Sequence, residues 1–178
     1  IIKSYSLLHN YIKTNTSNTS LYISIFAGKQ VFPNFQYDSN WVEEIERVSS
    51  LKLERLESEL VSAKSSMIKE SIRVAYNDLG DYYLDRGNLG EAIKCYSKTR
   101  DFSSMPKHSD EYCLNIVTVS IWMDKIMNVA NYLGKLEDPE TSVVLKDKLR
   151  VVKGLLYLSQ SNYEQSARVF LSLTSDIE

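Results

Sequence analysis

The chain has 178 residues, of which 43% are hydrophobic, and it carries a formal net charge of -2. This size is sufficient for one sizeable core, or for a short helical array whose core runs along its length. The lack of excess Lys and Arg argues against a general role in binding nucleic acid or anionic membranes. No apolar run in the sequence approaches the ~20 residues needed to span a bilayer.

The first 40 residues are predicted to form an N-terminal helical segment and an irregular connection. Apolar residues at helical spacing predict an amphipathic helix over residues 1–13, and the polar run 14–20 predicts a loop. Residues 21–27 are apolar almost throughout. Their composition is compatible with a strand, but a short buried helix fits an all-helical neighbourhood better. We expect the aromatic residues of the connection over 28–40 to dock on a helix face.

From Trp41 onwards, apolar residues recur at every third or fourth position, separated by Glu, Lys and Arg. The pattern continues to about residue 86, and it predicts either one long helix or two helices that meet near Ser65 and Ser66. A coiled coil is the competing interpretation, but the heptads before the next motif are too few to favour it. The interleaved acids and bases indicate a solvated helix face rather than a metal site.

The most informative pattern lies between residues 76 and 96, where aromatic, Leu-Gly, aromatic and small residues have the spacing of a tetratricopeptide-type helical hairpin. We expect Gly80 and Ala92 to lie where the two helices cross, because only a missing or minimal side chain lets the backbones approach closely. Asn88 is predicted to cap the second helix, with Glu91 completing a capping box. The residues predicted to fill the groove beside the crossing are Tyr76, Leu79, Tyr83 and Tyr96.

The hairpin pattern recurs at a constant offset of 74 residues, twice a repeat of 37. A degenerate middle hairpin is expected between the two copies, with helices over 110–122 and 125–136, followed by a break at Asp138-Pro139. The sequence therefore predicts an all-α, tetratricopeptide-like right-handed solenoid of three hairpins after a long helix, as a single domain over residues 41–178. The packing residues predicted in the last hairpin are Gly154, Tyr157, Ser166 and Phe170.

Two blocks of sequence are more specific than a generic repeat. One leads from Lys52–Leu60 into Ile68–Tyr83, and the other is Lys98–Phe102 followed by Lys107-His108. Both closely resemble the N-terminal helical region of the COP9 signalosome subunit 1 family. These are proteins with a PCI domain, and they are related to subunit 7 of the proteasome regulatory lid. The resemblance covers about residues 41–173.

The resemblance implies a non-catalytic structural subunit of a hetero-oligomeric complex that removes the modifier NEDD8 from cullins in the nucleus and cytoplasm. By the same resemblance, catalysis is expected to reside in a different, zinc-dependent subunit. The implied partners are other signalosome subunits and components of cullin-RING ubiquitin ligases. From the resemblance and the uncapped last hairpin, we expect this sequence to be a fragment that lacks the family's C-terminal winged-helix PCI module. Two alternatives remain open: a scaffold like proteasome lid subunit 7, and a stand-alone peptide-binding adaptor.

The sequence lacks the patterns that an active site would require. His9 and His108 are the two histidines, and neither lies in a metal-binding pattern. The glycines are explained by hairpin packing rather than by a phosphate loop, so we predict no enzyme activity, no cofactor and no metal. Cys95 and Cys113 are expected to be buried free thiols rather than a disulfide.

Five residues are candidates for contact with a partner protein. Solenoids bind through the first helices of consecutive repeats, and aromatic residues and Arg are enriched at interface centres. Tyr82, Arg86 and Tyr112 satisfy both conditions, although the tyrosines could equally pack between repeats. Arg100 and Asp101 lie where the chain enters the middle hairpin, and their alternative role is an inter-repeat salt bridge or cap.

Overall fold

The computed structural model describes residues 2–27, 37–136 and 143–173, and every regular element within those ranges is helical. The predicted all-α class is therefore confirmed. A short 3-10 helix covers Arg100–Phe102. The α-helices are α1 (Ile2–Asn15), α2 (Thr19–Ala27), α3 (Ser39–Ser66), α4 (Lys69–Asp85), α5 (Leu89–Thr99), α6 (Pro106–Trp122), α7 (Ile126–Leu136), α8 (Val143–Ser159) and α9 (Tyr163–Leu173).

The chain divides into two compact units, Ile1–Ser103 and Ser104–Glu178. In the first unit, α1 packs against α2, α2 against α3, α3 against α4, and α4 against α5. In the second unit, the same neighbour-to-neighbour packing joins α6 to α7, α7 to α8 and α8 to α9. Packing between consecutive helices is the organisation of a helical-repeat solenoid. The domain boundary predicted after residue 40 stays a prediction.

The long helical pattern that starts near Trp41 forms two helices, which is the second of the alternatives that the sequence left open. The carboxylate of Asp38 caps the start of α3 by accepting the Trp41 N–H at 3.0 Å. Met67 ends the helix in the left-handed conformation with φ of 55°, and its N–H donates to the carbonyl of Lys64. That conformation is uncommon for a residue with a side chain and is typical of a helix end.

The N-terminal segment contains the two helices that the sequence predicts. Residues 21–27 fall within α2, so the choice of helix over strand is confirmed, while the predicted loop shrinks to residues 16–18. Of the predicted irregular connection, residues 28–36 lie outside the described residues, as does the break at Asp138-Pro139. The ring of Tyr37 lies 5.8 Å from that of Tyr22 on α2, between ring centroids.

The turn between α4 and α5 is capped by Asn88, as predicted, because its side-chain oxygen accepts the Glu91 N–H at 3.3 Å. The reciprocal half of the predicted capping box is wrong. The N–H of Asn88 donates instead to the carbonyl of Tyr83 at 2.8 Å. The Glu91 carboxylate pairs with Lys94 at 2.6 Å, one turn along the same helix.

Candidate protein-interaction surfaces

The crossing of α4 and α5 depends on the missing side chain of Gly80. A Cβ atom built at Gly80 would lie 2.4 Å from Cε1 of Tyr96, closer than any real contact. In the second unit, a Cβ at Gly154 would lie 2.6 Å from the ring of Phe170. In each hairpin, the space opposite the glycine is therefore filled by the aromatic residue one turn after the small residue, Tyr96 in the first unit and Phe170 in the second. The sequence analysis had assigned this space to the small residue alone.

The small residues at the two crossings are also buried. Ala92 is fully buried, and Ser166 is buried with its hydroxyl donating to the carbonyl of Gly154 at 2.9 Å. A polar side chain is acceptable at the second crossing because this hydrogen bond satisfies it. Of the other predicted packing residues, Tyr76, Leu79 and Tyr96 are buried, whereas Tyr83, Tyr157 and Phe170 are half-buried.

The candidate contact residues Tyr82 and Tyr112 belong to the interior. Tyr82 packs with Leu56 and Leu79, and its hydroxyl donates to the carbonyl of Ser49 on α3 at 3.1 Å. Burial raises the pKa of its phenol. Tyr112 is buried edge-on against the ring of Tyr132 on α7, with 6.0 Å between centroids. The structure thus favours the alternative in which these tyrosines pack between helices, and it corrects their assignment to a partner surface.

Arg86 binds within its own chain rather than presenting a free cation. Its side chain is 18% exposed, and its guanidinium donates to the carbonyl of Ser17 and to the Glu46 carboxylate, each at 2.7 Å. The Thr19 hydroxyl donates to the same carboxylate, and these hydrogen bonds from Thr19 and Arg86 lower the pKa of Glu46. The assignment of Arg86 to a partner surface is corrected accordingly, since both terminal nitrogens of the guanidinium already donate within the chain.

The loop over residues 16–18 is fixed against the end of α4 by two further contacts. The N–H of Ser17 donates to the Asp85 carboxylate at 3.2 Å. Gly87 adopts a positive φ of 74°, and a Cβ there would lie 2.0 Å from Nδ2 of Asn18. The N-terminal segment therefore covers the end of the first unit at which α4 finishes. Because these partners lie 68 or more residues apart in the chain, no local sequence pattern could have indicated the contact.

Arg100 and Asp101 are the most exposed of the candidate contact residues, with 71% and 66% of their side chains accessible. Their charged groups approach each other at 3.8 Å. This pair joins neighbours in sequence, so the predicted inter-repeat salt bridge is not formed within the described residues. A role for these two residues in contacting a partner stays a prediction.

Sequence analysis missed a cluster around Tyr76 on α4. The ring of Phe102 stacks on that of Tyr76 with 6.0 Å between centroids and an interplanar angle of 21°. The ammonium groups of Lys64 on α3 and Lys98 on α5 lie 5.2 and 5.4 Å from the Tyr76 centroid. Both lysines are exposed. We refer to Lys64, Tyr76, Lys98 and Phe102 as the Tyr76 cluster.

Within the described residues, no group of three or more His, Cys, Asp or Glu side chains is arranged around a common point. Neither Cys95 nor Cys113 is in a disulfide; Cys95 is half-buried, which raises the pKa of its thiol, and Cys113 is buried. None of the helices within the described ranges has the length and apolar character needed to cross a membrane.

Comparison with known proteins places this helical array in a family. The family model described as 26S proteasome subunit RPN7 matches residues 38–178, which include α3 to α9. The chain belongs to this family.

Within the family, the chain is similar to COP9 signalosome subunits. It is 37% identical over 164 residues to COP9 signalosome complex subunit 1 of Arabidopsis thaliana, which covers 90% of this chain and 37% of that protein. It is 38% identical over 150 residues to COP9 signalosome complex subunit 1b of Drosophila melanogaster, covering 80% of this chain and 29% of that protein. COP9 signalosome complex subunit 1 of Schizosaccharomyces pombe is 29% identical over 93% of this chain and 40% of its own length.

These similarities confirm the resemblance to COP9 signalosome subunit 1 that the sequence blocks indicated. The chain spans two fifths or less of the length of each of these relatives.

Proposed function

We propose that this chain is the non-catalytic, protein-binding arm of a COP9 signalosome subunit. The proposal is carried by the similarity to proteins named COP9 signalosome complex subunit 1 from a plant, an insect and a fission yeast, along 80% or more of this chain. Consecutive helix packing supports it, because helical arrays offer extended surfaces for binding other proteins. In this role the chain contributes to the complex that removes NEDD8 from cullins, in the nucleus and cytoplasm.

The proposed partners are the sister subunits of the signalosome and components of cullin-RING ligases. The competing function is that of a proteasome lid scaffold, and the name of the matching family model favours it. Purification of the full-length parent from its native cells, followed by identification of the associated subunits, distinguishes the two. We expect signalosome subunits. Recovery of lid subunits alone, or of neither set, would contradict the proposal.

The non-catalytic part of the proposal has a separate test. The purified chain should release no NEDD8 from a NEDD8-modified cullin, with or without added zinc, while an assembled signalosome serves as the positive control. Zinc-dependent release by the purified chain alone would refute the non-catalytic role.

A further inference from the structure

The Tyr76 cluster holds two positive charges that no acidic group of the described residues neutralises. Two of the acids near these residues in sequence are already engaged, since Glu70 pairs with Arg73 at 2.8 Å and Asp101 pairs with Arg100. Neither Lys64 nor Lys98 forms an ion pair within the described ranges, although two like charges close to one ring repel each other. Each lysine gains attraction from the face of the ring, which holds both ammonium groups near it.

The cluster has a fixed geometry because three helices and a 3-10 turn contribute to it. Tyr76 is buried on α4, with Phe102 stacked against its ring. The lysines belong to the last turns of α3 and α5. The ammonium groups of the two lysines are close to each other, because their separation cannot exceed the sum of their distances to the Tyr76 ring centroid. Acidic side chains at alternate positions of an extended peptide lie about 7 Å apart, which allows such a peptide to reach both lysines.

An exposed apolar edge adjoins the cluster where α3 turns into α4. Met67 is 85% exposed and is held next to Lys64, to whose carbonyl its N–H donates. Ile68 is exposed beside it, and Val61 is exposed one turn before Lys64 on the same face of α3. Exposed apolar side chains grouped beside charged ones are typical of sites that bind other proteins.

We propose that the Tyr76 cluster and the edge formed by Val61, Met67 and Ile68 bind an extended segment of a partner protein in which acidic and apolar residues alternate. This proposal rests on the proposed function and names the chemistry of one of the partners. Charge complementarity selects the acidic residues, and the apolar edge selects the residues between them. The net charge of -2 disfavours a nucleic acid as the occupant.

The test uses the whole chain and a fluorescein-labelled peptide with the sequence Gly-Asp-Leu-Glu-Phe-Asp-Leu-Glu-Gly, with binding measured by fluorescence anisotropy. Exchanging Lys64 and Lys98 for Glu should weaken binding about tenfold or more. The matched control is Lys52→Glu, because Lys52 also lies on α3 and its ammonium is 5.9 Å from a tyrosine ring centroid, that of Tyr82. No second lysine among the described residues lies over that ring. Lys52→Glu should change affinity less than about twofold.

Further binding measurements distinguish the possible occupants of this surface. A peptide with Lys in place of each acid should not bind, and one with Ala in place of Leu and Phe should bind more weakly. If the double Glu variant loses its helical circular dichroism, the neutral variants Lys64→Gln and Lys98→Gln replace it, with the same expected direction. No saturable binding of the acidic peptide, equal weakening by the Lys52 control, or tighter binding of a single-stranded oligonucleotide would each overturn the proposal.

Failure of this inference and failure of the proposed function are distinguishable. If the parent protein co-purifies with signalosome subunits but the peptide does not bind, the surface is wrong and the function stands. If the peptide binds with the expected dependence on Lys64 and Lys98 but no signalosome subunit is recovered, the proposed function fails.

Discussion

Replacing Gly80 with Ala tests whether the close crossing of α4 and α5 holds the first unit together. The added Cβ would lie 2.4 Å from Cε1 of Tyr96. The ring cannot move away freely, because Tyr96 is almost fully buried and its hydroxyl donates to the Asp81 carboxylate at 2.6 Å. The same burial, together with the hydrogen bond to Asp81, raises the pKa of the Tyr96 phenol. The substitution therefore forces either a backbone shift or the loss of this hydrogen bond.

The size of the effect follows from opposing contributions to the free energy of unfolding. Overpacking a well-packed core costs about 1–3 kcal/mol, and loss of a hydrogen bond to a charged group costs about 1.5–3 kcal/mol. Ala gains about 1 kcal/mol over Gly inside a helix. We therefore expect Gly80→Ala to lower the stability of the first unit by up to about 2 kcal/mol.

The matched control is Gly90→Ala in α5. A Cβ at Gly90 meets no atom closer than 4.0 Å, so only the gain in helix propensity applies, and the substitution should stabilise by about 0.5–1 kcal/mol. Urea denaturation followed by tryptophan fluorescence measures both effects. A Trp122→Tyr background leaves Trp41, in the first unit, as the reporter. If Gly80→Ala and Gly90→Ala shift the urea midpoint by the same amount in the same direction, the close crossing does not stabilise the unit as argued.

Three further predictions concern the same unit. Ala92→Leu should lower the free energy of unfolding by about 1–3 kcal/mol, and Lys94→Ala, at an exposed position, should lower it by less than about 0.5 kcal/mol. Equal shifts in melting temperature for the two variants would show that the predicted hairpin register is wrong. Arg86→Ala should accelerate amide hydrogen exchange in α1 and α2, and unchanged exchange would mean that the guanidinium does not hold the N-terminal segment. The hydrogen bond from Lys13 lowers the pKa of Asp38. The contribution of this hydrogen-bonded pair to stability is therefore lost as pH falls through that lowered pKa. By NMR titration, Lys13→Met should raise this pKa, and an unchanged midpoint would refute the assigned cause.

The helices were predictable from sequence because apolar residues at three- and four-residue spacing have one dominant structural solution. The end of α3 was predictable only approximately. Its terminator is Met67 in the left-handed conformation, where glycine is the usual signal. Pro106 likewise starts α6 four residues before the predicted position of residue 110, because proline is favoured in the first helical turn.

The contact residues were harder to predict because exposure depends on which helices flank a given face. Tyr82 satisfied the compositional rule for interfaces, but α4 is packed by α3 on one side and α5 on another. The face that carries Tyr82 is the one that α3 covers, so the hydroxyl meets a carbonyl of α3 rather than solvent. The Tyr76 cluster was missed for the converse reason. Its lysines lie on separate helices, and no local pattern brings them together.

The two ends of the α3–α5 layer differ in a way that bears on where a partner can bind. Because α3, α4 and α5 alternate in direction, the end of α4 lies beside the start of α5. At that end the chain's own loop over residues 16–18 engages Asp85, Arg86 and Gly87.

The opposite end combines the last turns of α3 and α5 with the start of α4, and it presents the Tyr76 cluster and the edge around Met67. No segment among the described residues engages the ammonium groups of Lys64 and Lys98 there with a carboxylate. A partner that recognises the first unit by charge therefore has a defined end to bind, and it is the end remote from the N-terminal segment.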